Sequence, residues 1–115
     1  MQYMENQWSR LQIIKGIKKM IPEITFIKKS ENFDCTKGGI WTSGDNAWIY
    51  KGLPPFDHSV EFGECIMDGV KVKTMYANGI HKDIYIWLAQ RGWYPKWYDP
   101  GTLFFWKYNI TGFGI

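Results

Sequence analysis

The chain has 115 residues, which is the size of one domain and too short for two separate hydrophobic cores. Hydrophobic residues make up 45% and charged residues 22%, so the composition is globular and excludes a disordered polar chain. The formal net charge of +3 excludes an acidic mimic of nucleic acid, and it is lower than a dedicated nucleic-acid binder usually carries.

Aromatic residues are the unusual feature of the composition. They make up 18% of the chain, with seven each of Trp, Tyr and Phe. Large rings bury much area per residue in a small core, and they also form binding platforms. The excess therefore has two interpretations from the start, a compact core or a ligand surface.

Residues 4–21 have the pattern of an amphipathic helix. The apolar positions recur at spacings of three and four, and they are Met4, Trp8, Leu11, Ile14, Ile17 and Ile21. Basic residues lie between them and predict a solvated helix face. Gly16 weakens the helix slightly, and Pro22 ends it.

Short β-prone runs follow, and we predict strands at 24–28, 40–42 and 47–51 with a polar loop at 30–39. The glycine-rich stretch before Trp48 matches neither GxxxxGK[ST] nor GxGxxG, so a phosphate-binding loop is not indicated. We predict instead a hairpin with its turn at residues 43–46. A weaker candidate for holding a small polar ligand is a turn that exposes Ser43, Asp45 and Asn46 beside Trp41 and Trp48.

Prolines interrupt the middle of the chain and predict a loop at residues 52–57. We predict strands at 60–62 and 70–76, with a hairpin turn at Asp68-Gly69 before the second. A second amphipathic helix follows near residues 80–91. Its apolar positions include Ile84 and Leu88, Asp83 lies in its first turn, and Gly92 is a natural C-cap.

The C-terminal segment predicts a hairpin with strands at about 93–98 and 102–108, because Pro100-Gly101 fits the centre of a type II turn. Uninterrupted pairing places Tyr98 opposite Leu103 and sorts the side chains onto two faces. The uncharged face, which we predict as core, holds Trp93, Pro95, Trp97, Phe104, Trp106 and Tyr108. The other face mixes rings with lysines and holds Tyr94, Lys96, Tyr98, Leu103, Phe105 and Lys107.

These elements predict a single compact α+β domain over residues 1–115, with residues 109–115 as a loose tail. The expected core is an antiparallel sheet of four to six short strands. The N-terminal amphipathic helix and the helix near 80–91 should pack on this sheet, and the chain should end in the C-terminal hairpin.

The mixed face of the hairpin supports our leading hypothesis, a small non-enzymatic binding protein. It would present an aromatic-rich sheet face to a protein partner or to a second copy of itself. The candidate binding residues are Tyr94, Lys96, Tyr98, Phe105, Lys107, Trp41, Asp45 and Asn46. In its small size, many rings and lack of a catalytic motif the chain also resembles accessory proteins of phages and mobile elements, although it shares no motif with them.

Two alternatives belong to other classes. Rings and lysines on one face would also suit a nucleic-acid or nucleotide binder, in which bases stack and lysines meet phosphates. A small hydrolase would use His58 with Asp57, Glu61 or Glu64 as a general acid–base site. On a strand these side chains divide between two faces, which favours solvated surface charges.

No cofactor or metal is predicted, because the histidines and cysteines have no recognised ligand spacing. Cys35 and Cys65 form no CxxC pair, and we expect both to be free, buried thiols. The chain has neither an apolar run of membrane-spanning length nor a secretion signal at its N-terminus. We therefore expect a cytoplasmic protein without membrane contact.

Overall fold

A computed structural model describes residues 7–59, 64–67, 70–73 and 75–108, the second and third of these ranges by their backbone. Within these ranges the chain forms three helices and eight strands. In chain order they are α1 (Arg10–Met20), β1 (Ile27–Lys29), α2 (Glu31–Asp34), β2 (Ile40–Ser43), β3 (Glu64–Met67), β4 (Val70–Lys73), β5 (Tyr76–Ala77), β6 (Ile80–His81), α3 (Lys82–Gln90), β7 (Trp93–Asp99) and β8 (Thr102–Lys107).

The main sheet has four antiparallel strands in the order β1-β2-β8-β7, so the C-terminal hairpin pairs with the N-terminal strands. Two smaller sheets are the pairs β3-β4 and β5-β6. Buried side chains of α1 and α3 join those of β2, β7 and β8 in one hydrophobic core. We call the helix-covered side of the main sheet its inner face. The predicted α+β class, with two amphipathic helices and a C-terminal hairpin, is confirmed.

Helix α1 starts later than predicted, and its buried stripe keeps Ile17 and Ile21 of the predicted one but includes Ile13 instead of Leu11. The Ser9 hydroxyl accepts the Gln12 N–H, and the Gln12 side chain accepts the Ser9 N–H, so this capping box starts the helix at Arg10. The residues that point into the core are Ile13, Ile17 and Ile21, all fully buried. Leu11, predicted in the stripe, is 59% exposed. The prediction was wrong there because Leu11 lies two residues before Ile13, roughly 160° around the helix, and therefore faces away from the core.

Gly16, which weakens α1 locally, is explained by its packing. An ideal Cβ atom at this position would lie 2.3 Å from the Trp87 ring, so only glycine admits this ring against the helix. The Trp87 ring meets Trp8 edge-on at 5.6 Å, and the Arg91 guanidinium lies 4.6 Å from both ring centroids. The Trp93 indole N–H donates to the Trp8 carbonyl at 2.8 Å. These contacts hold the start of α1 against the end of α3.

Helix α3 confirms the predicted second helix. Its N-cap is His81, whose Nδ1 atom accepts the Asp83 N–H at 3.1 Å. His81 is 1% exposed, and burial lowers its pKa, which keeps the ring neutral as an acceptor requires. Gly92 follows the helix with a φ of 82°, the left-handed conformation predicted for it.

The predicted hairpin around residues 43–46 is wrong. Strand β2 pairs with β1 on one side and β8 on the other, so it offers no edge to residues 47–51. The Asn46 side chain donates to the Ser43 carbonyl and accepts the Trp48 N–H, which redirects the chain locally. In the predicted third strand, Tyr50 pairs only with nearby Leu53, in an isolated bridge.

Other boundaries also differ from the predictions. The first strand lies at Ile27–Lys29 rather than 24–28, and the predicted polar loop contains the short helix α2. The predicted strand at 70–76 is divided between β4 and β5. Strands β3 and β4 pair with Met67 opposite Val70, while the predicted strand at 60–62, the turn at 68–69 and the tail at 109–115 lie outside the described residues.

The C-terminal hairpin forms as predicted, but the register in which its strands pair differs from the predicted one. Asp99 pairs with Thr102, and the register then shifts between Trp97 and Asp99, so that Trp97 rather than Tyr98 pairs with Leu103. One extra residue on a strand reverses which face its partner strand presents. Leu103 is therefore fully buried in the core, contrary to the predicted assignment.

The remaining β8 assignments are reversed for the same reason. Phe105 is fully buried in the core, so its prediction as an exposed binding ring is wrong. Phe104 and Trp106, predicted as core under a helix, lie on the opposite side of the sheet. Tyr108, also predicted as core, is 40% exposed.

Candidate functional site

The side of the main sheet that faces away from α1 and α3 is the outer face. Its central row crosses all four strands: Lys28 is paired with Trp41, Trp41 with Phe104, and Phe104 with Lys96. Two rings therefore occupy the middle of this row and a lysine stands at each edge. Trp106 shares this face of β8, beside Tyr94 on β7.

Helix α2 covers part of the outer face through one side chain. The Phe33 ring meets Trp41, Tyr98 and Phe104 edge-on, with centroid distances of 5.0, 5.1 and 5.2 Å. Offset and edge-on pairs of this kind stabilise a contact beyond the area that they bury. Phe33 is absent from the predicted site, although a lone phenylalanine in a polar segment was an available signal.

Two features hold α2 in place on the sheet. The backbone of Ser30 donates to the Gly39 carbonyl, while the Ser30 hydroxyl accepts the Gly39 N–H at 2.9 Å. Cys35 then ends the helix with a φ of 74° in the left-handed region. Cys35 is a free and exposed thiol, so the prediction that it is buried is wrong. The side chain of Cys65 lies outside the described residues.

Beside Phe33 lies a cleft of about 390 Å³, here called the aromatic cleft. Its lining residues are Asp34, Thr36, Tyr94, Lys96, Trp97, Tyr98, Phe104 and Trp106. Phe104 and Trp106 stack with their centroids 5.5 Å apart and their planes at 21°. An ideal Cβ atom on Gly39 would lie 2.3 Å from the Trp106 ring, so the absence of a side chain there leaves room for the indole.

A second cavity of about 370 Å³, here called the basic pocket, shares Trp106 with the aromatic cleft. Its other lining residues are Arg10, Lys37, Gly38, Trp93 and Lys107. The Arg10 guanidinium is bonded to the Glu31 carboxylate at 2.8 Å. Among the residues that the structure describes, the ammonium groups of Lys37 and Lys107 have no acidic partner.

Glu31 remains charged over the whole physiological range. Its own backbone N–H, then the Gly38 N–H and the Arg10 guanidinium, lower the pKa of its carboxyl group to about 2 against the opposing effect of desolvation. The carboxylate is thus held by Arg10 and by backbone donors. The basic pocket keeps two uncompensated positive charges from its lysines.

The structure brings three of the predicted binding residues together in one cleft and places a fourth in the adjoining pocket. Tyr94, Lys96 and Tyr98 line the aromatic cleft, and Lys107 lines the adjoining basic pocket. Trp41 lies on the same outer face, where its ring packs against Phe26 and Phe33.

Asp45 lies in a different cavity, of about 380 Å³, together with Asp57, His58 and Ser59. The Ser59 hydroxyl donates to the Asp57 carboxylate at 2.6 Å, and the His58 ring meets Trp97 edge-on at 5.0 Å. Ser59 is thus engaged by the carboxylate rather than by the imidazole, which is not the relay that activates a serine nucleophile.

The structure does not describe the side chains of two further residues of the hydrolase hypothesis. Glu61 lies outside the described residues, and of Glu64 only the backbone is described. Within the described ranges, no cluster of three or more His, Cys, Asp or Glu side chains could hold a metal ion. None of the three described helices combines the length and the apolar character needed to cross a bilayer.

Comparison of the chain with protein-family models, with curated proteins and with solved structures finds no match.

Proposed function

We propose that this chain is a non-enzymatic binding protein whose aromatic cleft receives apolar side chains of a protein partner. The observation that carries the proposal is a set of rings left partly open to solvent on a sheet whose other face already forms the core. Tyr98 is 64% exposed, while Tyr94 and Trp106 are half-buried beside it. Exposed rings next to a preformed cleft are typical of interface hot spots.

The charges of the aromatic cleft favour a peptide segment. Asp34 and Lys96 line the same cleft, so its ionisable groups sum to zero. Its volume of about 390 Å³ lies within the range of small binding sites. The contacts of Phe33 and Gly39 hold the walls in place before binding, which lowers the entropic cost of association.

A second copy of the chain is the simplest protein partner, and a mass measurement separates it from a foreign one. Light scattering after size exclusion, at two protein concentrations and at low and high salt, reports the oligomeric state. A dimer that persists in high salt and is lost in Tyr98→Ser would assign the cleft to self-association. A monomer leaves the cleft available for another protein.

The test for a foreign partner is selection from a randomised peptide library displayed on phage. We expect peptides rich in Trp, Phe or Leu, and a loss of roughly tenfold or more in affinity for Tyr98→Ser and for Trp106→Ala. Ile86→Ser is the matched control, because Ile86 is 50% exposed on α3 and away from the cleft. Equal losses in the control, or no selected peptides and no dimer, would contradict the proposal.

Single-stranded nucleic acid is the second candidate, and the central row of the outer face favours it. Lys28 and Lys96 at the two edges would meet phosphates while bases stack on the rings between them. The distinguishing signature is affinity for an oligothymidylate that falls steeply as salt is raised. Salt-insensitive binding of peptides, with no binding of the oligonucleotide at low salt, would exclude this candidate.

A further inference from the structure

We infer that the partner segment carries an acidic side chain, and that this carboxylate is bound in the basic pocket by Lys37 and Lys107. The inference rests on the proposed function and specifies the chemistry of the partner. It assigns the two cavities to two parts of one ligand, with an apolar side chain in the aromatic cleft and an acidic one next to it.

The shared wall of the two cavities supports a single ligand. Trp106 lines both of them. Its ring stacks on Phe104 and lies against Gly39, which fixes the indole between the two spaces. By register Lys107 and Trp93 lie on the face opposite Trp106, so a segment that packs an apolar side chain on the Trp106 ring would reach the basic pocket by passing the end of β8.

The charges of the basic pocket define which group it accepts. Arg10 is already paired with Glu31, so the positive charge that remains belongs to Lys37 and Lys107. Like charges that face one cavity repel each other, and a carboxylate between them relieves this repulsion. An acidic side chain is therefore the complementary group, whereas a lysine or arginine of the partner would be rejected.

The distribution of charge also favours a peptide over a nucleic acid. The aromatic cleft holds one acidic and one basic side chain, while the uncompensated charge lies at the basic pocket on one side of Trp106. A nucleic acid carries a phosphate at every nucleotide and would bring one of them close to Asp34. A peptide carries its negative charge only at its acidic residues. This matches a binding site whose uncompensated positive charge is concentrated in the basic pocket.

The test is parallel selection of a randomised peptide library against three forms of the full chain. These are the unchanged protein, the double variant Lys37→Glu/Lys107→Glu, and the control Lys15→Glu/Lys18→Glu on the exposed side of α1. Both double variants change the net charge equally, so a general electrostatic effect is the same in each. Circular dichroism and urea denaturation establish that each variant is folded.

We expect Asp or Glu at a constant spacing from an aromatic or leucine residue in peptides selected by the unchanged protein and by the control. The Lys37→Glu/Lys107→Glu variant should keep the apolar preference and select Lys or Arg at the acidic position. A selected acidic peptide should bind this variant roughly tenfold more weakly, while its Asn or Gln counterpart should change less than about twofold.

Some outcomes of this selection would overturn only the inference, and others would also overturn the proposed function. Apolar peptides without an acidic preference, or an acidic preference that survives the lysine reversals, would overturn this inference and leave the proposed function standing. If no apolar peptide is selected and the protein is monomeric, the proposed function fails as well. Salt-sensitive binding of an oligothymidylate that requires Lys37 and Lys107 would overturn the inference in favour of nucleic acid.

Discussion

Both faces of the main sheet carry large apolar side chains, but only the inner face is covered by long amphipathic helices. On the inner face, side chains such as Ile40, Leu103 and Phe105 are fully buried against α1 and α3. On the outer face, the rings have lysines at both edges of the sheet and are covered only in part by the four-residue helix α2. On the outer face Phe104 is buried beneath Phe33 of α2, whereas Tyr94, Tyr98 and Trp106 remain partly open to solvent.

The faces also differ in chemical composition. Inner-face contacts are mostly aliphatic, and its buried Thr42 hydroxyl donates to the Phe26 carbonyl. The outer face holds edge-on and stacked rings, and a cleft of about 390 Å³ lies beside them. The core also contains large rings such as Trp93 and Phe105, but these are fully buried, whereas several outer-face rings line a cleft that is open to solvent.

The largest expected difference between the faces is in the free energy of unfolding, when one aromatic side chain on each face is replaced by alanine. Phe105→Ala should lower the free energy of unfolding by about 3–5 kcal/mol, because it leaves a cavity in the core. Tyr98→Ala should cost about 1 kcal/mol, since Tyr98 is 64% exposed and loses mainly its contact with Phe33. Urea denaturation measures both values, and a smaller cost for Phe105→Ala than for Tyr98→Ala would reverse the assignment of the faces.

An intermediate effect should come from pH, through the buried imidazole at the start of α3. Burial lowers the pKa of His81 in the folded protein below its ordinary value of about 6.5, with Lys51 and Lys82 adding to this effect and Asp83 opposing it. The unfolded chain therefore binds the proton first. The neutral, buried His81 ring therefore contributes fully to the free energy of unfolding above pH 6.5. This contribution is lost as the pH falls towards the lower pKa of His81 in the folded protein.

The expected loss is at most about 1.4 kcal/mol per pH unit below pH 6.5. Urea denaturation between pH 7.5 and 5.5 measures it, a window above the titration of ordinary carboxyl groups. His81→Asn keeps a side-chain acceptor for the Asp83 N–H and should remove this pH dependence. His58→Asn, which leaves His81 in place, should retain it; equal pH profiles in the two variants would exclude His81 as the cause.

The smallest expected effect on stability concerns the outer face and Gly39→Ala. A methyl group there would meet the Trp106 ring, but this ring is half-exposed and turns aside more easily than a core ring. We expect a loss of about 1 kcal/mol, at the low end of the cost of overpacking. In the ¹H–¹⁵N spectrum the Trp106 indole resonance should move while that of Trp93 stays; the opposite pattern would contradict the packing described for Gly39.

Local signals in the sequence determined several elements correctly. Helix α3 was predicted from its apolar spacing and from Gly92, and the C-terminal hairpin from Pro100-Gly101. Three residues of the aromatic cleft, Tyr94, Lys96 and Tyr98, were predicted as well, because alternation on β7 is counted along one strand. Caps, turns and periodicity act over a few neighbouring residues, so they are visible without knowledge of the rest of the fold.

Tertiary structure alone decided the rest of the site. The register shift beside Tyr98 exchanged Phe105 for Trp106 on the outer face, and no local pattern marks that single extra residue. The pairing of β2 with β8 and the placement of Phe33 over the sheet join segments about 60 residues apart or more. Such choices depend on which strand edges and faces remain uncovered after the whole chain has packed, and a sequence read in short windows does not contain that information.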